Sequence, residues 1–389
     1  MKMLWVKADF LHPTDRGGQI RTLEMLKRLN QRHEIHYVAL DRGDASRASE
    51  YCSHAYPIEH KVPEKNTAAF GGQLLQGLVT PLPVAVSRYR SEAMKKKIET
   101  LSKQEQFDLT VCDFLFPAPN MPDLASCVLF QHNVEATIWQ RHAENAPTAA
   151  HRWYFQMQAR RMKAYEGEVC GAVKSVVAVS DVDACRMRKD YRPRRVDAIP
   201  TGVDLEYFTP AGAAPRSSDL VFLGSMDWMP NIDGAEWFVR EVLPLIRKQK
   251  PDCSVVLAGR KPTRAVLDLV TGDGIQATGT VPDIRPYLWG ATVSIVPLRI
   301  GGGTRLKIFE SMAAGVAVVS TTIGAEGLPV EPGSEILIAD DPASFADCCL
   351  RLMEDPGGRA RMAEAARRMV ASRFSWEAVS VEFERLVIE

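Results

Sequence analysis

Short runs rich in apolar and β-branched residues recur along the chain, each followed by a segment with apolar residues at helical spacing. The runs fall at residues 4–8, 34–40, 109–112, 127–130 and 175–179, and again at 220–223, 254–258, 275–279, 292–298 and 316–320. Most show no strict alternation, so each predicts a strand buried on both faces, as in a parallel sheet. Helical spacing predicts helices over 20–29, 70–79, 91–104, 153–165, 232–249, 263–270, 283–289, 305–314, 342–354, 359–373 and 375–387. Residues 42–64 are polar and read as irregular, and no repeat of solenoid length is visible. The segment 210–219, PAGAAPRSSD, is the most linker-like part of the chain, and strands alternate with helices on both sides of it. That pattern predicts an α/β protein with two doubly wound, Rossmann-like domains and a cleft between them.

The chemistry gathers where strands end. Residues 292–321, TVSIVPLRIGGGTRLKIFESMAAGVAVVST, read as strand, glycine loop, helix, strand, with Gly315 placed as a helix C-cap. Backbone N–H groups at a helix start suit an anion. Arg305 and Lys307 add positive charge there, and Glu310 sits one turn after Lys307. Amides and two cations for a phosphate, with a carboxylate for a sugar hydroxyl, have the form of a sugar-nucleotide site. The plainer alternative is an ordinary βαβ crossover with a glycine turn.

Gly17 and Gly18, after the first strand, form a second glycine loop ahead of a helix, but not the dinucleotide fingerprint G-x-G-x-x-G. His132 lies just past a strand end, where open α/β sheets bind ligands, although such a histidine can equally serve packing or capping. Ser180-Asp181-Val182-Asp183 contains an Asp-x-Asp that suits a divalent metal, yet Ser180 with Asp183 three residues later fits a helix cap better, and no metal is expected.

Composition narrows the classes. The chain has 389 residues, with 48 Lys plus Arg against 48 Asp plus Glu, so there is no basic excess for a nucleic-acid partner. Eight scattered cysteines without a CxxC pair suit a reducing compartment. No run of about 18 apolar residues is present, and the start lacks the order of a signal peptide, so a cytoplasmic location is expected. Basic stretches at 88–97 and 152–163 either are solvated or meet the phosphate of a lipid-linked acceptor at the inner face of a membrane, a peripheral contact.

The motifs SVVAVS, IPTGVD, FLGSMDWMPN, GTVPD and GGGTRLKIFESMAAGVAVVST, with the Gly17-Gly18 loop and the closing Phe374-Ser375-Trp376 helix, resemble glycosyltransferase family 4, most closely its bacterial polysaccharide-assembly members. The resemblance is most specific in the C-terminal half. It implies the GT-B fold, with an acceptor domain at 1–200 plus a returning helix at 374–389 and a nucleotide-sugar donor domain at 201–373. It further implies a retaining, metal-independent transfer from a nucleotide-diphosphate sugar, a co-substrate, with no other cofactor. By position, Glu310 would bind the nucleotide ribose, and Arg305 and Lys307 the diphosphate. Gly301, Gly302, Gly303 and Thr304 would offer backbone N–H groups, and Val281 would meet the base. Gly17 and Gly18 would approach the diphosphate, and His132 the donor sugar. Gly224, Ser225 and Arg260 complete the expected donor site.

Two positions depart from the family pattern. Gly302 stands where a first glutamate is usual. Ser225 follows Gly224 where an arginine is usual, and the lysine that often comes next is missing. Arg305 and Lys307 are the expected replacements for those cations. A sugar-nucleotide epimerase of the same architecture and a non-catalytic sugar-nucleotide or glycan-binding subunit remain the alternatives.

Overall fold

The computed structural model describes residues 1–14, 17–60, 80–144, 146, 148–210, 212, 216–270, 274–300 and 306–388. The expected helix at 70–79, and Gly301, Gly302, Gly303, Thr304 and Arg305, lie outside the described residues. Contacts divide the chain into two units, Met1–Pro200 with Val379–Glu389, and Thr201–Ala378.

The first unit is built on a seven-stranded sheet in the order β3-β2-β1-β4-β5-β6-β7. The strands are β1 Lys2–Lys7, β2 Glu34–Leu40, β3 His54–Ile58, β4 Leu109–Asp113, β5 Cys127–Phe130, β6 Ser175–Ala178 and β7 Val196–Ala198. Every pairing is parallel. Met3, Leu4, Trp5 and Val6 of β1 are fully buried, as a strand covered on both faces requires. The order reverses between β1 and β4, which makes the carboxyl ends of these two strands the topological switch point.

β3 corrects the expectation that residues 42–64 are irregular. It is an edge strand of sequence HAYPI with one buried residue, so it carries no apolar run, and Pro57 is tolerated at an edge. Gly17 and Gly18 are a second correction. They are the first residues of the helix Gly17–Leu29, not a loop ahead of it.

The second unit holds a six-stranded sheet in the order β10-β9-β8-β11-β12-β13. Its strands are β8 Ser218–Leu223, β9 Val255–Ala258, β10 Ile275–Ala277, β11 Ala291–Val296, β12 Val318–Ser320 and β13 Leu337–Ile338. Its switch point lies between β8 and β11. The single helix expected over 232–249 is broken into Met229–Trp237, a π-turn at Phe238–Val242, and Leu243–Gln249. Pro244 explains the break, because its ring lacks an N–H and crowds the preceding turn.

The second unit begins ahead of the proline-rich segment. Phe208 is buried in its core, Tyr207 donates to Asp283 Oδ1 at 3.1 Å, and Trp289 Nε1 donates to the Thr209 carbonyl at 3.0 Å. The last helix, Trp376–Ile388, ends in the first unit. There Phe383 packs against Trp5 and Phe130, and Glu384 pairs with Arg32 and His33.

Candidate active site

At the first switch point three strand ends deliver ionisable groups into the interior. Lys7 closes β1 and Asp113 closes β4, while His132 follows β5 by two residues. Asp113 is fully buried. Its Oδ1 lies 2.6 Å from Lys7 Nζ and 2.6 Å from His132 Nε2, and its Oδ2 accepts from Trp5 Nε1 at 2.8 Å and Thr22 Oγ1 at 2.7 Å. Burial alone would raise the Asp113 carboxyl, but Lys7 and His132 together hold it well below the usual carboxylate range.

Burial and Lys7 push the His132 imidazole down to about 4 against the pull of Asp113, so the ring is neutral at pH 7. The short bond to Asp113 assigns the proton to Nε2. Nδ1 is then an acceptor, and it is buried without a hydrogen-bond partner among the described residues. It sits beside the helix start: a Cβ placed on Gly18 would lie 3.7 Å from His132 Nδ1. Phe114, directly after Asp113, adopts a φ of 79° and sets its ring edge-on to His132. A positive φ at a bulky residue stores strain, which is found most often at functional sites.

The loop that carries His132 is fixed from below. Arg21 is buried over the Phe130 ring and donates to the carbonyls of Gln131 at 2.6 Å and Ile199 at 2.7 Å. Glu166, fully buried in the helix Ala149–Ala172, caps the start of the helix Glu135–Glu144. It accepts from the backbone N–H groups of Glu135 and Ala136, from Gln131 Nε2, and from Tyr191 Oη at 2.8 Å. Desolvation pushes the carboxyls of both Glu166 and Glu135 up to about 7.

At the second switch point Gly224 follows β8 and the helix Leu306–Ala313 follows β11. A Cβ on Gly224 would stand 3.0 Å from Lys307 Nζ and 2.4 Å from Asn231 Nδ2. Lys307 Nζ donates to Asn231 Oδ1 at 2.6 Å and lies over the Phe222 ring, and Asn231 Nδ2 donates to the Ser225 carbonyl at 2.8 Å. Lys307, on the helix after β11, therefore brings a cation beside Gly224. Glu310 is half-buried, one turn further along. Desolvation pushes its carboxyl up to about 7, against Lys307.

Around this point, Ser225 accepts from exposed Arg260 Nε at 2.9 Å and donates to Asp227 at 2.6 Å. A Cβ on Gly259 would collide with the Gly224 carbonyl at 1.7 Å, so the loops after β8 and β9 pass in contact and admit only glycine there. Gly279 bridges Gly259, and Val281 is partly exposed two residues later. Gly224, Ser225, Arg260 and Lys307 thus share one edge of the second sheet, whereas Gly17, Gly18 and His132 share the equivalent edge of the first.

Sequence reasoning missed Lys7, Asp113, Thr22, Arg21 and Glu166, and assigned no role to Asn231. The available signal was a charged residue closing each of two buried strands, in WVK and VCD. Ser180 acts as the expected cap, accepting from the Asp183 N–H at 3.1 Å. Among the described residues, the one set of three clustered metal-ligating side chains is Glu34, His36 and His54, at the amino ends of β2 and β3 and away from both switch points.

Two doubly wound sheets, each with a glycine and buried polar groups at its switch point, define a GT-B glycosyltransferase fold, and comparison with known proteins agrees. The family model for Glycosyltransferase Family 4 matches residues 16–207, and that for Glycosyl transferases group 1 matches residues 217–355. The chain belongs to the family 4 glycosyltransferases, enzymes that use nucleotide-sugar donors. It is 20% identical over 378 residues to an uncharacterized 44.6 kDa protein in the cps region of Klebsiella pneumoniae, covering 93% of each chain. It is 26% identical over 200 residues to a GDP-mannose-dependent monoacylated alpha-(1-6)-phosphatidylinositol monomannoside mannosyltransferase of Corynebacterium glutamicum. That match takes in 46% of this chain and spans about half, 52%, of the relative's length. Anabaena HepE, solved in complex with UDP and glucose, shares the fold over 100% of both chains at 12% identity and a TM-score of 0.67. No helix among the described residues is long and apolar enough to cross a membrane.

Proposed function

We propose that this chain is a retaining, metal-independent glycosyltransferase that moves a sugar from a nucleotide-diphosphate donor to a hydroxyl of a glycan or lipid-linked glycan. The observation that carries the reading is Lys307 Nζ held by Asn231 beside Gly224 at the second switch point. There it meets a leaving diphosphate and stabilises the charge that grows as the glycosidic bond breaks. Arg305 and the backbone N–H groups of Gly301, Gly302, Gly303 and Thr304 act on the same phosphates. Glu310 takes the ribose hydroxyls, Val281 the base, and Gly17 and Gly18 let the diphosphate approach the first helix. His132 Nδ1, an acceptor by tautomer, takes a hydroxyl of the donor sugar.

In the reaction the bond from the anomeric carbon to the phosphate oxygen breaks, and the acceptor oxygen bonds to that carbon on the same face. The acceptor proton passes to the departing phosphate oxygen, so no protein nucleophile takes part. The relatives bear on the donor and acceptor: one is named for GDP-mannose, one structure holds UDP and glucose, and one protein is encoded in a cps region. The enzyme works in the cytoplasm, with its basic helices at the inner membrane face when the acceptor is lipid-linked.

A thermal-shift screen of UDP-, GDP-, dTDP- and ADP-sugars identifies the donor, since only its class stabilises strongly. Transfer is then assayed with and without EDTA, and the product anomer is read by NMR. An inverted anomer overturns retention, and loss of turnover in EDTA overturns metal independence. Conversion of donor without acceptor identifies an epimerase, and no turnover of any stabilising donor identifies a binding subunit.

A further inference from the structure

We infer that Glu34, His36 and His54 form a binding site for a divalent transition metal, zinc by preference, at the end of the first sheet away from the proposed reaction. Strand geometry builds the group. Glu34 and His36 are two apart on β2, so the pleat puts both side chains on one face. The parallel register pairs His36 with His54 of β3. Glu34 Oε1 lies 2.9 Å from His36 Nε2 and 3.4 Å from His54 Nε2, and the three ligand atoms all fall within 4.8 Å of one another.

The donor set is two imidazole nitrogens and one carboxylate oxygen, which suits zinc and its neighbours better than calcium or magnesium. His36 is already oriented as a metal ligand. It is buried, its Nδ1 is hydrogen-bonded to Tyr56 Oη at 3.0 Å, and Phe107 stands edge-on to its ring, so Nε2 is aimed at Glu34. An outer partner on the far ring nitrogen is what fixes ligating histidines elsewhere. His54 is half-exposed, which leaves an open side for a water as fourth ligand.

Lys2 is the competing cation. Its Nζ stands 3.7 Å from Glu34 Oε1, but it is bonded more closely to Glu105 at 2.7 Å, so a metal can claim the Glu34 carboxylate without leaving Lys2 unpaired. A bound metal would tie the edge strand β3 to β2.

The untagged 389-residue chain, stripped with EDTA and dialysed, is titrated with ZnCl2 by calorimetry at pH 7.5, and with CoCl2 to read the visible spectrum. One zinc per chain is expected. His54→Ala and Glu34→Gln, both at exposed positions, should each weaken binding by about 10-fold or more, and Lys2→Met should tighten it. In the cobalt-loaded chain a tetrahedral spectrum should appear and vanish in His54→Ala. Absence of saturable binding overturns the proposal, as does zinc binding that is unchanged in both ligand variants. Sugar transfer does not enter the readout, so the outcome is independent of the proposed activity.

Discussion

Asp113 Oδ1 accepts a 2.6 Å hydrogen bond from His132 Nε2, and this bond decides which ring nitrogen is left to face the helix start at Gly18. Asp113→Asn tests it. The amide cannot pair with Lys7, and its NH2 group can hold the histidine in the opposite tautomer, with the proton on Nδ1. Nδ1 then no longer accepts from the donor-sugar hydroxyl, so donor affinity should fall by on the order of 10-fold, with turnover at low donor concentration falling alongside it. Removing one partner of a buried ion pair should also cost roughly 3–5 kcal/mol of stability. Nitrogen-15 spectra of the histidine ring report the tautomer directly: a wild-type Nδ1 bearing the proton would sink the assignment.

His132 also leaves a pH signature. Its pKa falls from 6.5 to about 4 on folding, so the unfolded chain binds the proton more tightly. Stability from this group is present above pH 6.5 and is lost as pH falls towards 4. Glu135 and Glu166, raised to about 7, act with the opposite sign, losing their contribution as pH rises through 7. The His132 share is therefore read as a difference. Denaturant melts of wild type and His132→Gln should converge as pH drops from 6.5 to 4, and parallel curves would remove His132 as the cause.

Lys307 and Asn231 should behave as one device. Lys307→Met keeps an unbranched side chain and deletes the charge that lies over Phe222, so turnover should fall about 10²-fold. Asn231→Ala releases the ammonium from its 2.6 Å bond and should cost somewhat less. The double variant should be little worse than Lys307→Met alone, because groups in contact are non-additive. Steady-state kinetics of the four proteins measures this, and simple addition of the two losses would show that Asn231 does not position Lys307.

How much of this was legible in the chain follows from what each residue is surrounded by. β11 and β12 are apolar and β-branched, so they read as buried strands, and Gly315 with its φ of 74° ends the helix Leu306–Ala313 where a C-cap was expected. Gly224 and Lys307 were both visible, but their meeting was not, since 83 residues separate them and the sheet order joins β8 to β11. Lys7 and Asp113 looked like the polar ends of strands. Only the reversal of strand order between β1 and β4 makes those ends neighbours. Glu166 lies in a helix whose basic residues suggested a solvated face, yet its side chain is fully buried under the His132 loop. β3 was invisible because an edge strand with four positions outside the core has no apolar pattern to show.

Glu310 gives the sharpest link between pH and donor binding. Its carboxyl is pushed up to about 7 by desolvation, so near pH 7 about half the free enzyme carries a proton there. The charged form is penalised in the folded chain, so its contribution to stability is present below 4.5 and lost as pH rises through 7. Ribose hydroxyls donate best to the anion, so the donor should select it and expel the proton. Affinity should therefore improve as pH rises from 6 to 8. Calorimetry in two buffers of different ionisation enthalpy should show release of roughly 0.5 proton at pH 7. Glu310→Gln should bind more weakly, with a flat pH dependence and no proton release. Proton uptake by the wild type, or the same release from Glu310→Gln, would place the ribose contact elsewhere.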